Sequence, residues 1–192
     1  MLRAGLVVSC AVLAACARDP EEALCPDLDE GDLVVTEIAG PQTGFDAVAP
    51  WVELYNASGA PVDLYGLRIR FRRISGAGET AVIVRRSLIA APGSYTVLGL
   101  ADDTAREAHV DYGFLSDFRT SFPGASAVDV EACNRRVDLA RYDSLPRNGS
   151  YSLGANPPDA TANDLPANWC TNPSATAAGV AGTPQQANAA CP

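Results

Sequence analysis

Leu33-Val34-Val35-Thr36-Glu37-Ile38 and, past an interval holding two glycines and two prolines, Trp51-Val52-Glu53-Leu54-Tyr55-Asn56 are two six-residue runs rich in β-branched, aliphatic and aromatic side chains. Runs of that length and composition, bounded by turn formers, read as strands. The texture repeats outward at 66–71 (GLRIRF), 80–85 (TAVIVR) and 94–99 (SYTVLG), then more weakly at 110–114, 127–131, 137–142 and 150–153. Short strands at such regular spacing predict an all-β sandwich or barrel. Asn148-Gly149 predicts a tight hairpin ahead of the last run, because both central positions of a type I′ turn need positive φ. Beyond one turn near 102–107, no amphipathic helix is expected.

Upstream, Arg3 precedes an uncharged run from Leu6 to Ala15, too short for the roughly 20 apolar residues that cross a bilayer. It reads as the h-region of a signal peptide spanning 1–15, so export is expected. Leu13-Ala14-Ala15-Cys16 resembles the bacterial lipoprotein signal, in which the cysteine is acylated and becomes the mature N-terminus. Lipidation is therefore expected at Cys16, with an ordinary signal peptide cleaved after Ala15 or Ala17 as the alternative. The residue after Cys16 is Ala17 rather than the Asp that marks inner-membrane retention in enteric bacteria, so an outer-membrane lipoprotein is expected.

From Cys16 onward the chain has 13 arginines against 23 acids, a net charge of −10, and no lysine. That balance argues against general nucleic-acid binding, which draws its affinity from neutralising phosphates. Residues 17–32 hold seven acids, Arg18 and two prolines. So little apolar surface predicts a flexible acidic stalk over 16–31, ahead of one domain over 32–192. Residues 154–192 are rich in Ala, Asn and Pro, yet Trp169-Cys170 and Cys191 point to a tail held against that domain.

With Cys10 in the signal peptide and Cys16 acylated, Cys25, Cys133, Cys170 and Cys191 are left to form two disulfides in an oxidising compartment. Four cysteines allow three pairings that sequence does not separate. Position favours Cys25 with Cys191, which flank the domain, and Cys133 with Cys170, which would fasten the tail.

Three segments together resemble a lamin-tail domain of the bacterial secreted type. The first is Thr36-Glu37-Ile38, Trp51 to Asn56 and Val62-Asp63-Leu64-Tyr65-Gly66-Leu67; the second is Pro92-Gly93-Ser94-Tyr95 leading to Leu98. The third is Trp169-Cys170 with the closing Gly182-Thr183-Pro184-Gln185-Gln186-Ala187-Asn188, where the family commonly has Gly at the position of Gln185. The resemblance spans about residues 32–190. It implies an immunoglobulin-like β-sandwich that serves as an interaction or tethering module, often an accessory to enzymes.

Chemistry is thinly represented. The single histidine, His109, sits in a polar stretch and is expected at the surface; no Gly-x-Ser-x-Gly, H-E-x-x-H or phosphate-cradling glycine motif occurs. No enzyme activity and no cofactor are expected. Glu37 and Glu53 interrupt apolar strands that are candidate sheet neighbours, so they need structural hydrogen bonds, an arginine or, more weakly, a calcium ion. Arg68, Arg70 and Arg72 alternate with Leu67, Ile69 and Phe71, giving one basic strand face that Arg85 and Arg86 could extend. That face is either solvated with Glu79 and other acids across the strands or a site for an anionic partner. Trp51, Tyr55, Tyr65 and Trp169 suit core packing, with a carbohydrate platform as the alternative. The sequence-level expectation is a non-catalytic, envelope-anchored interaction, adhesion or scaffolding module. Its partners would be the membrane, through the lipid, and an envelope protein or polysaccharide. The alternatives are an accessory domain or hydrolase acting on envelope glycan or nucleic acid, or a ligand-binding lipoprotein.

Overall fold

The two runs that open the domain form adjacent antiparallel strands, β1 (Leu33–Ala39) and β2 (Trp51–Asn56), in the computed structural model of the chain. That model describes residues 24–43, 49–76, 78–118, 122–176 and 178–192. The signal peptide expected over 1–15, the lipidated Cys16 and stalk residues 17–23 lie outside the described residues. The strands that follow are β3 (Val62–Asp63), β4 (Arg68–Arg73), β5 (Glu79–Ile83), β6 (Ile89–Ala90), β7 (Tyr95–Gly99) and β8 (Tyr112–Gly113), then β9 (Ser126–Ala132), β10 (Arg135–Tyr142), β11 (Ser150–Leu153) and β12 (Trp169–Asn172). One four-residue helix, α1 (Ala160–Asn163), is capped by the Asp159 carboxylate.

The protein is all-β. Six strands form one sheet in the order β12-β11-β1-β2-β7-β8, four form a second in the order β10-β9-β4-β5, and β3 pairs with β6. Val52, Leu54, Leu98 and Leu153 of the first sheet share one core with Ile69, Phe71, Val128, Val130 and Val137 of the second, which is how a sandwich is built. Phe71, Phe114, Phe118 and Phe122 fill one part of it, with ring centroids 4.6–6.4 Å apart. The other face of the six-stranded sheet carries a smaller cluster of Ala39, Trp51, Val97 and Val110.

Three expectations need correcting. Asn148-Gly149 closes no hairpin, since β10 and β11 belong to different sheets. The tight turn is instead Cys133-Asn134 between β9 and β10, both at positive φ as a I′ turn demands. The disulfides are Cys25–Cys133 and Cys170–Cys191, not Cys25–Cys191 and Cys133–Cys170. Cys133 lies in a turn of the four-stranded sheet, whereas Cys170 lies in β12 of the six-stranded one. Cys25 runs past Gly66 to the Cys133 turn; a β-carbon on Gly66, at φ 82°, would strike the Leu24 carbonyl. Cys191 lies against Gly154, the residue after β11, within reach of Cys170 on the neighbouring strand.

The acidic stalk also ends sooner than its composition suggests. Leu28 is buried in the main core, Gly31 N–H donates to Val137 O at 2.8 Å, and Arg135 holds Asp27 at 2.6 Å. Two disulfides are the mark of an oxidising, exported setting. Among the described residues no helix is long and apolar enough to cross a membrane.

Candidate functional site

A β-bulge brings two buried acids together. The register of β1 against β2 pairs Val35 with Leu54 and then Glu37 with Glu53, leaving Thr36 as the extra residue. Both carboxyls consequently occupy one cross-strand pair, and both residues are fully buried.

Neutral donors surround them. Glu37 accepts hydrogen bonds from the Ser150 hydroxyl, from the Ser152 hydroxyl at 2.8 Å and from Thr183 N–H at 3.1 Å. Glu53 accepts from the Thr36 hydroxyl at 2.8 Å and from Gln185 N–H at 2.6 Å. The segment Gly182 to Asn188 therefore lies over the pair as a strap. Its far end is fixed by Asn188, which accepts the Thr183 hydroxyl at 2.7 Å and donates to Thr36 O at 2.9 Å. Gly182 sits at φ 88°, and a β-carbon there would collide with the Glu37 carboxylate and the Ser150 hydroxyl. Gln185 has φ 63°, the conformation glycine adopts without cost, and its side chain donates to Asp111 at 3.0 Å.

Burial pushes the Glu37 carboxyl above its ordinary value, against the pull of its hydrogen bonds. Glu53 is pushed well above, first by burial and then by the negative charge of Glu37. A neutral acid beside an ionised one is the low-energy arrangement for such a pair. The oxygens a calcium ion would need are taken by donors, and no group of three or more His, Cys, Asp or Glu among the described residues is placed to hold a metal. The site is a structural latch between sheet and tail. Another buried acid, Asp138 of β10, joins the two sheets by accepting Val35 N–H and the Asn163 side-chain amide, each at 2.7 Å, and burial raises it to about 6.

The basic face is solvated and paired. Arg70 bridges Glu79 and Glu131, each at 2.5 Å, and Arg72 grips Asp129 through two nitrogens. Arg68 stands exposed at the end of the same strand, by the Cys25–Cys133 bridge. Arg85 and Arg86 do not extend this face: they turn to Asp117 and Asp103, and Arg86 lies 5.2 Å over the Tyr112 ring.

The aromatic candidates do not converge. Trp51 and Trp169 are buried in different clusters, Tyr55 packs on Tyr95 at 5.0 Å, and Tyr65 is exposed. His109 is not a plain surface residue; it is half-buried, edge-on to Trp51 at 6.4 Å, with Nε2 buried and unpaired, and burial lowers its pKa. Thr183 and Gln185, the strap donors, were visible only as part of the closing motif, and Ser150 and Ser152 carried no signal at all.

Neither protein-family models nor curated proteins match this chain.

Proposed function

We propose that the protein is a non-catalytic interaction module of the bacterial cell envelope, an immunoglobulin-like sandwich of lamin-tail type tethered by acylated Cys16. The observation that carries this reading is that the buried Glu37–Glu53 pair is consumed by the chain's own tail, under Gly182 to Asn188. Catalysis needs such groups within reach of a substrate. The strap's G-T-P-x-x-x-N sequence and the W-x-E-L-x-N strand, two of the motifs behind the lamin-tail resemblance, meet at this latch. Two disulfides fit an exported, oxidising setting.

Cys16→Ser is expected to abolish acylation and move the chain from the membrane to the soluble fraction. Crosslinking in intact envelopes is expected to trap the wild type with a specific partner. Retention of Cys16→Ser in the membrane would refute the anchor, and a hydrolytic activity of the purified chain on envelope glycan would refute the non-catalytic reading.

A further inference from the structure

Seven described arginines (70, 72, 85, 86, 106, 135 and 136) form ion pairs. Arg68, Arg73, Arg141 and Arg147 form none with the described residues, and two of these four, Arg73 and Arg141, line a single groove of about 550 Å³ at one end of the four-stranded sheet. The sheet brings them there. Arg72 and Arg141 both pair with Ala127, so their backbones stand two strand spacings apart, roughly 10 Å, and Arg73 is the next residue along β4. Both Arg73 and Arg141 are exposed. Arg72 at the groove wall is already neutralised by Asp129.

The remaining wall is aromatic and apolar. Tyr151, stacked flat on Trp169 at 4.8 Å, lines the groove together with Pro166. The Tyr151 hydroxyl makes no hydrogen bond to the described residues, whereas the Tyr142 hydroxyl nearby is used on Pro123 O at 2.9 Å. One carboxylate in the lining, Asp143, opposes the two free guanidinium groups. The groove is therefore locally cationic on a chain whose net charge is −9.

We propose that this groove binds a carboxylated sugar chain. Guanidinium is planar and always charged, and its fork of donors matches a carboxylate. A volume of about 550 Å³ falls inside the range of roughly 300–1,000 Å³ typical of small-molecule sites and is far larger than a single ion fills. Sugar rings present apolar C–H faces to walls such as Tyr151 and Pro166, and hydroxyls to a free phenol. The paired acids that silence Arg70 and Arg72 leave the anion contacts to Arg73 and Arg141. The inference builds on the reading of the chain as a binding module and is independent of its lipid anchor.

Calorimetric titration of the purified full-length chain with trigalacturonate tests it, with maltotriose, inorganic phosphate and triglutamate as comparison ligands. Trigalacturonate is expected to bind, more weakly as salt rises, and the three comparison ligands to bind far less. Arg73→Ala and Arg141→Ala are each expected to weaken binding roughly tenfold or more, the loss of one charge-assisted contact. Both side chains are exposed, so unchanged melting temperatures are expected to accompany that loss. Arg147→Ala, which removes an exposed arginine outside the groove, is expected to bind as the wild type does. No binding of trigalacturonate, equal binding of maltotriose, or indifference to both groove substitutions would overturn the proposal. Phosphate or triglutamate binding as tightly as trigalacturonate would also overturn it, by showing an unselective anion surface. Failure here leaves the Cys16 fractionation result untouched, and failure of that fractionation leaves the titration standing.

Discussion

The latch at Glu37 and Glu53 and the arginine face of β4 are both clusters of like charge, and the fold resolves them in opposite ways. On the exposed sheet face, arginines are matched by acids at the neighbouring strand positions, and water shares the work of solvating them. Under the tail strap no arginine or histidine of the described residues pairs with the carboxyls. The two carboxyls are met by serine and threonine hydroxyls and backbone N–H groups, and burial together with mutual repulsion favours the protonated form of one of them. Removing a charge from the first region exposes its partner to solvent; removing one from the second strands several buried donors. The same kind of substitution should therefore have very different consequences in the two places.

The largest effect is expected from Glu37→Ala. It leaves Ser150, Ser152 and Thr183 N–H without their acceptor, at roughly 1–3 kcal/mol for each unsatisfied buried group, and a total loss of about 3–5 kcal/mol in urea unfolding is expected. A loss below about 1 kcal/mol would show that the strap is held by something other than this carboxylate. Opening Cys170–Cys191 by double substitution with serine should cost about 3 kcal/mol, since the bridge closes a loop between residues 21 apart. Protease cutting confined to the strap would be the accompanying sign.

The buried acids also set a pH dependence of unusual sign. A carboxyl whose pKa is raised by folding contributes stability below its unfolded pKa and loses that contribution as pH rises through the folded value. Asp138 moves from 3.8 to about 6, so about 3 kcal/mol is expected to vanish across that window. Asp138→Asn should flatten the curve there. Glu53, which burial and the Glu37 charge also raise, adds a trend of the same sign. Glu53→Gln is thus expected to lose less stability than the wild type as pH rises. Calcium and chelator should leave the melting temperature of both chains unchanged; a calcium-dependent rise in the wild type alone would make the pair a metal site.

What could be read from sequence divides along the same line as the two regions. The strands and the alternating arginine face were legible because both rest on local alternation, and Glu79 follows β4 by a single turn; Glu131 and Asp129, 61 and 57 residues from Arg70 and Arg72, were not. The latch was half legible: Glu37 and Glu53 stand out inside apolar runs, but their partners Ser150, Thr183 and Gln185 lie 113–146 residues from Glu37 or 132 residues from Glu53. No local pattern encodes that distance. The disulfides failed for a related reason, because the pairing depends on where the chain ends run: Cys25 passes beside the Cys133 turn and Cys191 lies beside Cys170 of β12, neither of which local sequence encodes. Asn148-Gly149 misled because a turn signal does not say whether the chain returns to its own sheet or crosses to the other.

The smallest effect should come from Arg70, although it has more ion-pair partners than any other residue of the face. Its guanidinium and the two carboxylates are all partly exposed, with side-chain exposures of 28% for Arg70, 44% for Glu79 and 17% for Glu131. Exposed pairs are screened by water and salt, and ordering long side chains offsets much of the attraction, so each typically contributes about 0.2–1 kcal/mol. Double-mutant cycles of Arg70→Ala with Glu79→Ala and with Glu131→Ala should give coupling inside that range, shrinking as salt is added. The Glu131 coupling is expected to be the larger, because its carboxylate is the less exposed. A coupling of about 2 kcal/mol or more that resists salt would place Arg70 in the same energetic class as the latch. The contrast between a solvated sheet face and a buried, neutral-donor site would then fail at the residue where it is easiest to measure.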